Sequence, residues 1–187
     1  MTVFSADLEA KRLELLHELV PKALVIGVLL DPRFPMADVQ AQEVQNAGRA
    51  LAVQVRIAHA STEAEIEDAF TELIENGVRA LLLAGGPFFN NNRASLMALT
   101  ARHRLPSIAG EREFTEAGGL MSYGTNVPDV YRQMGIYSGR ILGGERPADL
   151  PFLQPSKFDF ALNLRTANAL GLDIPPTLLA RADEVIE

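Results

Sequence analysis

The sequence contains no cysteine, and this absence excludes several kinds of site. Disulfide bonds, thiolate nucleophiles and cysteine-based zinc or iron–sulfur centres all require a thiol. A chain without cysteine is compatible with a reducing or an oxidising compartment, so this absence does not identify where the protein works.

A basic surface is missing as well. Lys and Arg total 17 against 24 Asp and Glu, which gives a formal net charge of -7 at pH 7. Nucleic-acid binding depends on clustered basic side chains that neutralise phosphates, so we expect no nucleic-acid partner.

Long apolar segments are also missing. The longest apolar run, near Leu24–Leu30, is far too short to cross a bilayer. Residues 1–7 have no basic region followed by an apolar stretch, which an export signal would show. We therefore expect the chain as written to be cytoplasmic.

The known signatures of catalysis are not present. There is no Gly-x-Ser-x-Gly motif and no glycine-rich phosphate motif. The histidines His17, His59 and His103 fall on separate predicted elements, without the spacing of a metal or nucleophilic site. We therefore expect no catalytic residues, no metal and no cofactor.

The sequence does show alternating strand and helix patterns. Continuous apolar runs are typical of buried strands, and apolar residues three or four apart are typical of helices. Strands are predicted near residues 24–30, 52–58, 79–84, 106–109, 120–123 and 158–162, with residues 85–92 as a loop. This alternation predicts an α/β fold, a doubly wound and mainly parallel sheet with helices on both faces.

In such sheets, ligands bind beyond the carboxyl ends of the strands. Asp31 follows the first strand, where it either lines a cleft or caps a turn. Phe88 and Asn90 lie in the loop after the third strand. Phe88 either forms an aromatic wall of the cleft or packs in the core or over a helix end, and Asn90 could supply an amide. Arg112 follows Glu111 after the fourth strand, where it either clamps a carboxylate or begins a solvated helix.

Several segments resemble, in order, the signatures of one protein family. They are residues 11–21, Pro87–Asn90, Arg112–Phe114, Glu116–Gly124, residues 140–144, Pro147–Pro151, Gln154–Phe158, Ala169–Leu172 and Ile174–Pro176. The family is the tryptophan/tyrosine-type ABC-transporter substrate-binding proteins, which have the type I periplasmic-binding-protein fold. The chain resembles their C-terminal lobe, with the N-terminal lobe missing.

The resemblance implies a non-catalytic receptor that holds a small solute, amino-acid-like or another small organic molecule, and passes it to an ABC permease. It implies a periplasmic or lipid-anchored extracytoplasmic location. The implied ligand-binding residues are Asp31, Phe88, Asn90, Glu111, Arg112 and Tyr123. The family often has a polar residue at position 86 and an aromatic one at position 109, where this chain has Gly86 and Ala109. The alternative is a free-standing flavodoxin-like or Rossmann-like enzyme or nucleotide-binding domain.

The resemblance also divides the chain. Residues 1–126 and 154–187 are expected to form the α/β domain, and residues 127–153 a helix and return segment that packs on the missing lobe or on a partner. The predicted helix 127–142 carries an apolar stripe, formed by Val127, Val130, Met134, Tyr137 and Ile141. We therefore predict a homodimer through helix 127–142.

Overall fold

A computed structural model describes residues 8–151 and 155–187. The strands are β1 (Val25–Leu30), β2 (Gln54–His59), β3 (Ala80–Leu83), β4 (Ser107–Ala109), β5 (Met121–Thr125), β6 (Phe158–Asn163) and β7 (Glu184–Ile186). The helices are α1 (Leu8–Leu19), α2 (Ala37–Ala50), α3 (Glu63–Glu75), α4 (Pro87–Asn91), α5 (Arg93–Arg102), α6 (Arg112–Glu116), α7 (Val127–Leu142), α8 (Leu164–Leu170) and α9 (Pro176–Leu179), with a 3-10 turn at Pro147–Asp149.

The strands form one sheet in the order β2-β1-β3-β4-β5-β6-β7. Every neighbouring pair is parallel except β5 and β6, which run antiparallel with Tyr123 opposite Phe160. The predicted α/β fold with a mainly parallel, helix-covered sheet is confirmed. The first four strands lie within two residues of their predicted bounds.

Strands β1 and β3 are apolar throughout because both faces of the sheet are covered there. Along β1, Ile26, Val28 and Leu30 pack into one hydrophobic cluster with α1 and α2. Leu29 points to the other cluster, which contains α3 and α5 residues. Strand β2 lies at the edge of the sheet and alternates between covered and exposed side chains, as its alternating sequence indicates.

Capping residues define several helix ends. The Thr62 hydroxyl accepts a hydrogen bond from the Glu65 amide at 3.3 Å, as an N-cap does. The Glu65 carboxylate accepts from the Ser61 amide at 2.7 Å, one residue before the N-cap amide that it would reach in a capping box. Gly77 and Gly171 follow α3 and α8 with φ of 74° and 70°, a conformation that favours glycine.

Two elements differ from the sequence prediction. The segment predicted as a loop over residues 85–92 contains the short helix α4, which Pro87 begins. Proline suits the first turn of a helix because its missing N–H has no partner there. Strand β7 was not predicted, since three residues at the end of the chain are too few to show a periodicity.

Helix α7 has the predicted bounds, and Val130 is its one buried residue. Val127, Met134 and Ile141 remain 40%, 37% and 40% exposed. Tyr137 is partly covered, and its hydroxyl donates to the Pro151 carbonyl at 2.9 Å. Val130 of the predicted stripe is therefore covered within this chain, without a second lobe or a partner. Gln154, where the return was expected, lies outside the described residues.

Candidate functional site

The loops after β3, β4 and β5 meet at one edge of the sheet around two adjoining cavities, of about 460 Å³ and 400 Å³. The larger cavity is lined by Gly110, Glu111, Arg112, Glu113, Glu116, Gly124, Thr125, Val127, Pro128, Tyr131 and Asp159. The smaller is lined by Gly86, Pro87, Asn90, Arg93, Glu111, Glu113, Phe114 and Val127. We call the two cavities together the cleft. Its position is the one at which open α/β sheets bind ligands.

Two glycines form the floor of the cleft, where the ends of β4 and β5 approach closely. A Cβ on Gly124 would collide with the Gly110 carbonyl oxygen. A Cβ on Gly110 would lie 2.7 Å from Nη2 of Arg12, well inside van der Waals contact. Glycine at position 124 therefore allows the backbone contact between the two strand ends, and glycine at position 110 leaves room for the Arg12 guanidinium.

A buried polar network holds the loops around the cleft. Oε1 of Glu9 accepts hydrogen bonds from Nη1 of Arg12 at 2.8 Å, Nε2 of Gln40 at 2.9 Å and the Gly85 amide at 3.1 Å. Nε of Arg12 donates to the Tyr123 carbonyl oxygen at 2.7 Å. The network thereby ties α1 and α2 to the backbone that follows β3 and to the end of β5.

Glu111 lies where the two cavities adjoin and is largely buried. Its Oε2 and Oδ1 of Asn90 are both buried, and neither accepts a hydrogen bond from the part of the chain that the structure describes. Burial raises the pKa of the Glu111 carboxyl above its usual range, reinforced by the charges of Glu113 and Glu9. A hydrogen bond between the Asn90 and Glu111 side chains and the positive charge of Arg12 act in the opposite direction on this pKa.

The arginines near the cleft have partners. Nη2 of Arg112 donates to Glu116 at 2.8 Å and to Glu184 at 3.0 Å, so it links α6 to β7. Nη1 of Arg93 donates to the backbone oxygen of Asn90 at 2.9 Å. Both guanidinium groups stabilise the local structure.

The structure brings three of the six predicted site residues to the cleft, namely Asn90, Glu111 and Arg112. The other three do not line either cavity. Asp31 caps a turn, accepting from the Arg33 amide at 3.0 Å. Phe88 lies 5.3 Å beneath the Arg33 guanidinium, and the Tyr123 ring stacks on Phe158 with centroids 5.9 Å apart.

Sequence reasoning missed several residues that line the cleft. Glu113 and Glu116 follow Arg112 on α6. Their closeness in sequence to the end of the fourth strand could have identified them as cleft residues. Tyr131 comes from the exposed start of α7. Asp159 reaches the cleft because β6 runs antiparallel to β5 and sets it opposite Gly124, a pairing that the sequence pattern does not show.

Within residues 8–151 and 155–187, no three histidine, aspartate or glutamate side chains are grouped as metal ligands would be. No helix in those residues is long and apolar enough to cross a membrane. The arrangement is therefore a concave, partly apolar surface with polar groups at its edge, which suits a small organic ligand.

Comparison with protein families gives a match over residues 3–186 to the family described as ABC transporter substrate binding protein. No curated protein matches the chain. Among solved structures, a conserved domain protein from Vibrio cholerae is 21% identical with a TM-score of 0.85, and the match covers 95% of this chain and 60% of that one.

Two further structures are similar. An ABC domain in complex with L-Trp from Streptococcus pneumoniae is 22% identical with a TM-score of 0.84, covering 95% of this chain and 62% of that one. A substrate-binding protein with adhesive properties from Clostridium difficile, in its ligand-free, open form, is 23% identical with a TM-score of 0.71, covering 94% and 59%. The chain therefore spans about three fifths of the length of these structures.

Proposed function

The chain belongs to the ABC transporter substrate-binding protein family, and on this premise we propose that it is a solute-binding component of an ABC importer. The observation that carries the proposal is the cleft at the carboxyl ends of β3, β4 and β5, with Glu111 where its two cavities adjoin. The solute is a small organic molecule, amino-acid-like or of similar size. The family match favours this function over a flavodoxin-like or Rossmann-like enzyme.

Binding in this proposal is shared between two lobes. This chain covers about three fifths of the structures that it resembles, and a second lobe would close over the open side of the cleft. Closure of two lobes on a ligand is a common hinge movement. The binding step involves no chemical conversion, and the closed form delivers the solute to an ABC permease from outside the cytoplasmic membrane, in the periplasm or on a lipid anchor.

The predicted ligand residues have different parts in this proposal. Asn90 and Glu111 contact the solute directly, and Arg112 shapes the wall through its ion pairs with Glu116 and Glu184. Asp31, Phe88 and Tyr123 act from behind the cleft wall. Asp31 holds a turn, and the two aromatic rings pack beneath the loops.

Nuclear magnetic resonance can test this function on the chain itself. We expect a small solute from a panel that includes L-tryptophan and other amino acids to shift the amide signals of residues 110–113 and 124–127 saturably. The variant Val127→Trp should weaken this binding, because Val127 lines both cavities. Val39→Trp is the matched control, since Val39 is similarly exposed, at 41% against 40%, and lies on α2.

Two results would contradict the solute-binding function. One is a panel in which no solute shifts the cleft amides at millimolar concentration. The other is binding that Val127→Trp and Val39→Trp weaken equally, because that binding would lie outside the cleft.

We also propose that α7 pairs with a second copy of the chain. Met134 and Ile141 are 37% and 40% exposed on this helix, so burying the remaining surface of each is worth on the order of 1 kcal/mol. Light scattering should find a dimer at tens of micromolar that Met134→Glu dissociates and Val39→Glu does not. A monodisperse wild-type monomer at that concentration would exclude the homodimer and leave α7 for the second lobe.

A further inference from the structure

We propose that the group bound by this lobe is a protonated amine, held by Glu111 and Asn90, and that the solute is an organic ammonium compound. The inference depends on the solute-binding function proposed above and specifies the chemistry of its ligand. Three features of the cleft support it: its hydrogen-bonding atoms, its charges and its apolar wall.

The first feature is a surplus of hydrogen-bond acceptors. Oε2 of Glu111 and Oδ1 of Asn90 are buried and lack a donor in the described chain, although both residues line the cleft. Buried polar atoms without a partner are rare and costly in folded proteins. An ammonium group has three donors and no acceptor, so it can supply a donor to each oxygen. A solute carboxylate would add further acceptors to the same place.

The second feature is the distribution of charge. Carboxylates from α6 and β6 line the larger cavity beside Glu111, namely Glu113, Glu116 and Asp159. Arg112, the basic residue of that cavity, already binds Glu116 and Glu184. In the smaller cavity, the basic residue Arg93 already donates to the Asn90 carbonyl. The surplus of carboxylates in the larger cavity therefore attracts a cation and repels an anion.

The third feature is an apolar wall opposite the carboxylates. Val127, Pro128 and Tyr131 from the first turns of α7 line the larger cavity. The Tyr131 side chain is 69% exposed, so its ring is free to cover the body of a ligand. Aromatic rings also attract cations on their faces. The wall suits an amine that carries an aromatic or aliphatic body.

Three compounds that share one phenylethyl skeleton separate the possible chemistries. 2-Phenylethylamine carries only the ammonium group, L-phenylalanine carries both charged groups, and 3-phenylpropanoate carries only the carboxylate. Titrated into the isotope-labelled chain at neutral pH, the amine should shift the amide signals of residues 110–113 saturably, and the propanoate should not. L-Phenylalanine should bind no more tightly than the amine, because Arg93 and Arg112, the arginines that line the cleft, already donate to acceptors of the chain.

Variants then test whether Glu111 and Asn90 hold the amine. Glu111→Gln should weaken binding of 2-phenylethylamine by about tenfold or more, since a hydrogen bond to a charged group is lost. Glu67→Gln removes the same charge from α3, where Glu67 is paired with Arg102 on the surface, and should leave the affinity unchanged. Asn90→Ala should lower the affinity for 2-phenylethylamine by a smaller factor, because the acceptor that it removes is neutral.

The outcomes separate this inference from the function on which it rests. Saturable binding of 3-phenylpropanoate at the cleft, as tight as that of the amine, would overturn the amine assignment and leave solute binding intact. An affinity for the amine that Glu111→Gln does not change would do the same. If none of the three compounds shifts the cleft amides, the amine assignment is overturned, and the broader solute panel then decides whether solute binding fails with it.

Discussion

The buried pair of Arg12 and Glu9 should contribute more to stability than any surface ion pair of the chain. Their side chains are 7% and 4% exposed, and their charged atoms are 2.8 Å apart. Arg12→Met leaves the Glu9 carboxylate in a buried site without its counter-charge and takes the donor from the Tyr123 carbonyl. Removing one partner of a buried pair costs about 3–5 kcal/mol.

The pair of Arg181 and Glu18 is a matched control. It has the same 2.8 Å separation but side chains that are 43% and 36% exposed. Exposed pairs contribute about 0–1 kcal/mol, so Arg181→Met should change the free energy of unfolding little.

Thermal unfolding followed by circular dichroism would measure both variants. At about 2–4 °C per kcal/mol for a domain of this size, Arg12→Met should lower Tm by roughly 6–20 °C and Arg181→Met by a few degrees at most. The double variant Glu9→Gln/Arg12→Met should cost less than the sum of the single variants, because the two side chains interact directly. Equal losses of Tm for Arg12→Met and Arg181→Met would refute the argument that burial makes the Arg12–Glu9 pair the more important one.

Three further variants test other features. Glu111→Gln should stabilise the chain at neutral pH. The pKa of the Glu111 carboxyl is raised in the folded state, so the wild type loses stability as pH rises above the unfolded pKa of 4.5, and the variant does not. A difference in unfolding free energy between variant and wild type that is equal at pH 4 and pH 7 would contradict this. Gly124→Ala should destabilise by about 1–3 kcal/mol or more through collision with the Gly110 carbonyl, which a Tm equal to that of the wild type would disprove. Asn126→Ala should lower the free energy of unfolding by about 1 kcal/mol, because Asn126 caps α7 by accepting from the Asp129 amide at 2.7 Å. Faster hydrogen exchange confined to the amides at the start of α7 would identify the cap, and unchanged exchange there would argue against it.

The sequence predicted the fold well where burial determines the pattern. β1 and β3 are covered on both faces, so their apolar runs are continuous and their bounds are clear. The same reasoning could not give the direction of β6, because an apolar strand reads alike in parallel and antiparallel pairs. It also missed α4, since Pro87 and the following asparagines are equally typical of a loop and of a helix start.

The candidate site was predicted less completely because side-chain direction alternates along a strand. Tyr123 and Gly124 are neighbours in the sequence, yet Gly124 lines the cleft and the Tyr123 ring packs on Phe158. Strand ends therefore indicated the correct edge of the sheet. Which residue at each end faces the cleft depends on register and on loop conformation, and neither follows from the pattern. The role of each proposed ligand residue stays a prediction.

The pairing of β5 with β6 brings the two ends of the segment that contains α7 next to each other. Thr125 pairs with Phe158, and the Asn126 amide donates to the Lys157 carbonyl oxygen at 3.0 Å. The backbone therefore departs toward α7 and comes back at positions that are hydrogen-bonded neighbours. A two-residue turn can join antiparallel strands at such a point. Replacing the segment between Asn126 and Lys157 by such a turn should therefore leave the seven-stranded sheet in its present register.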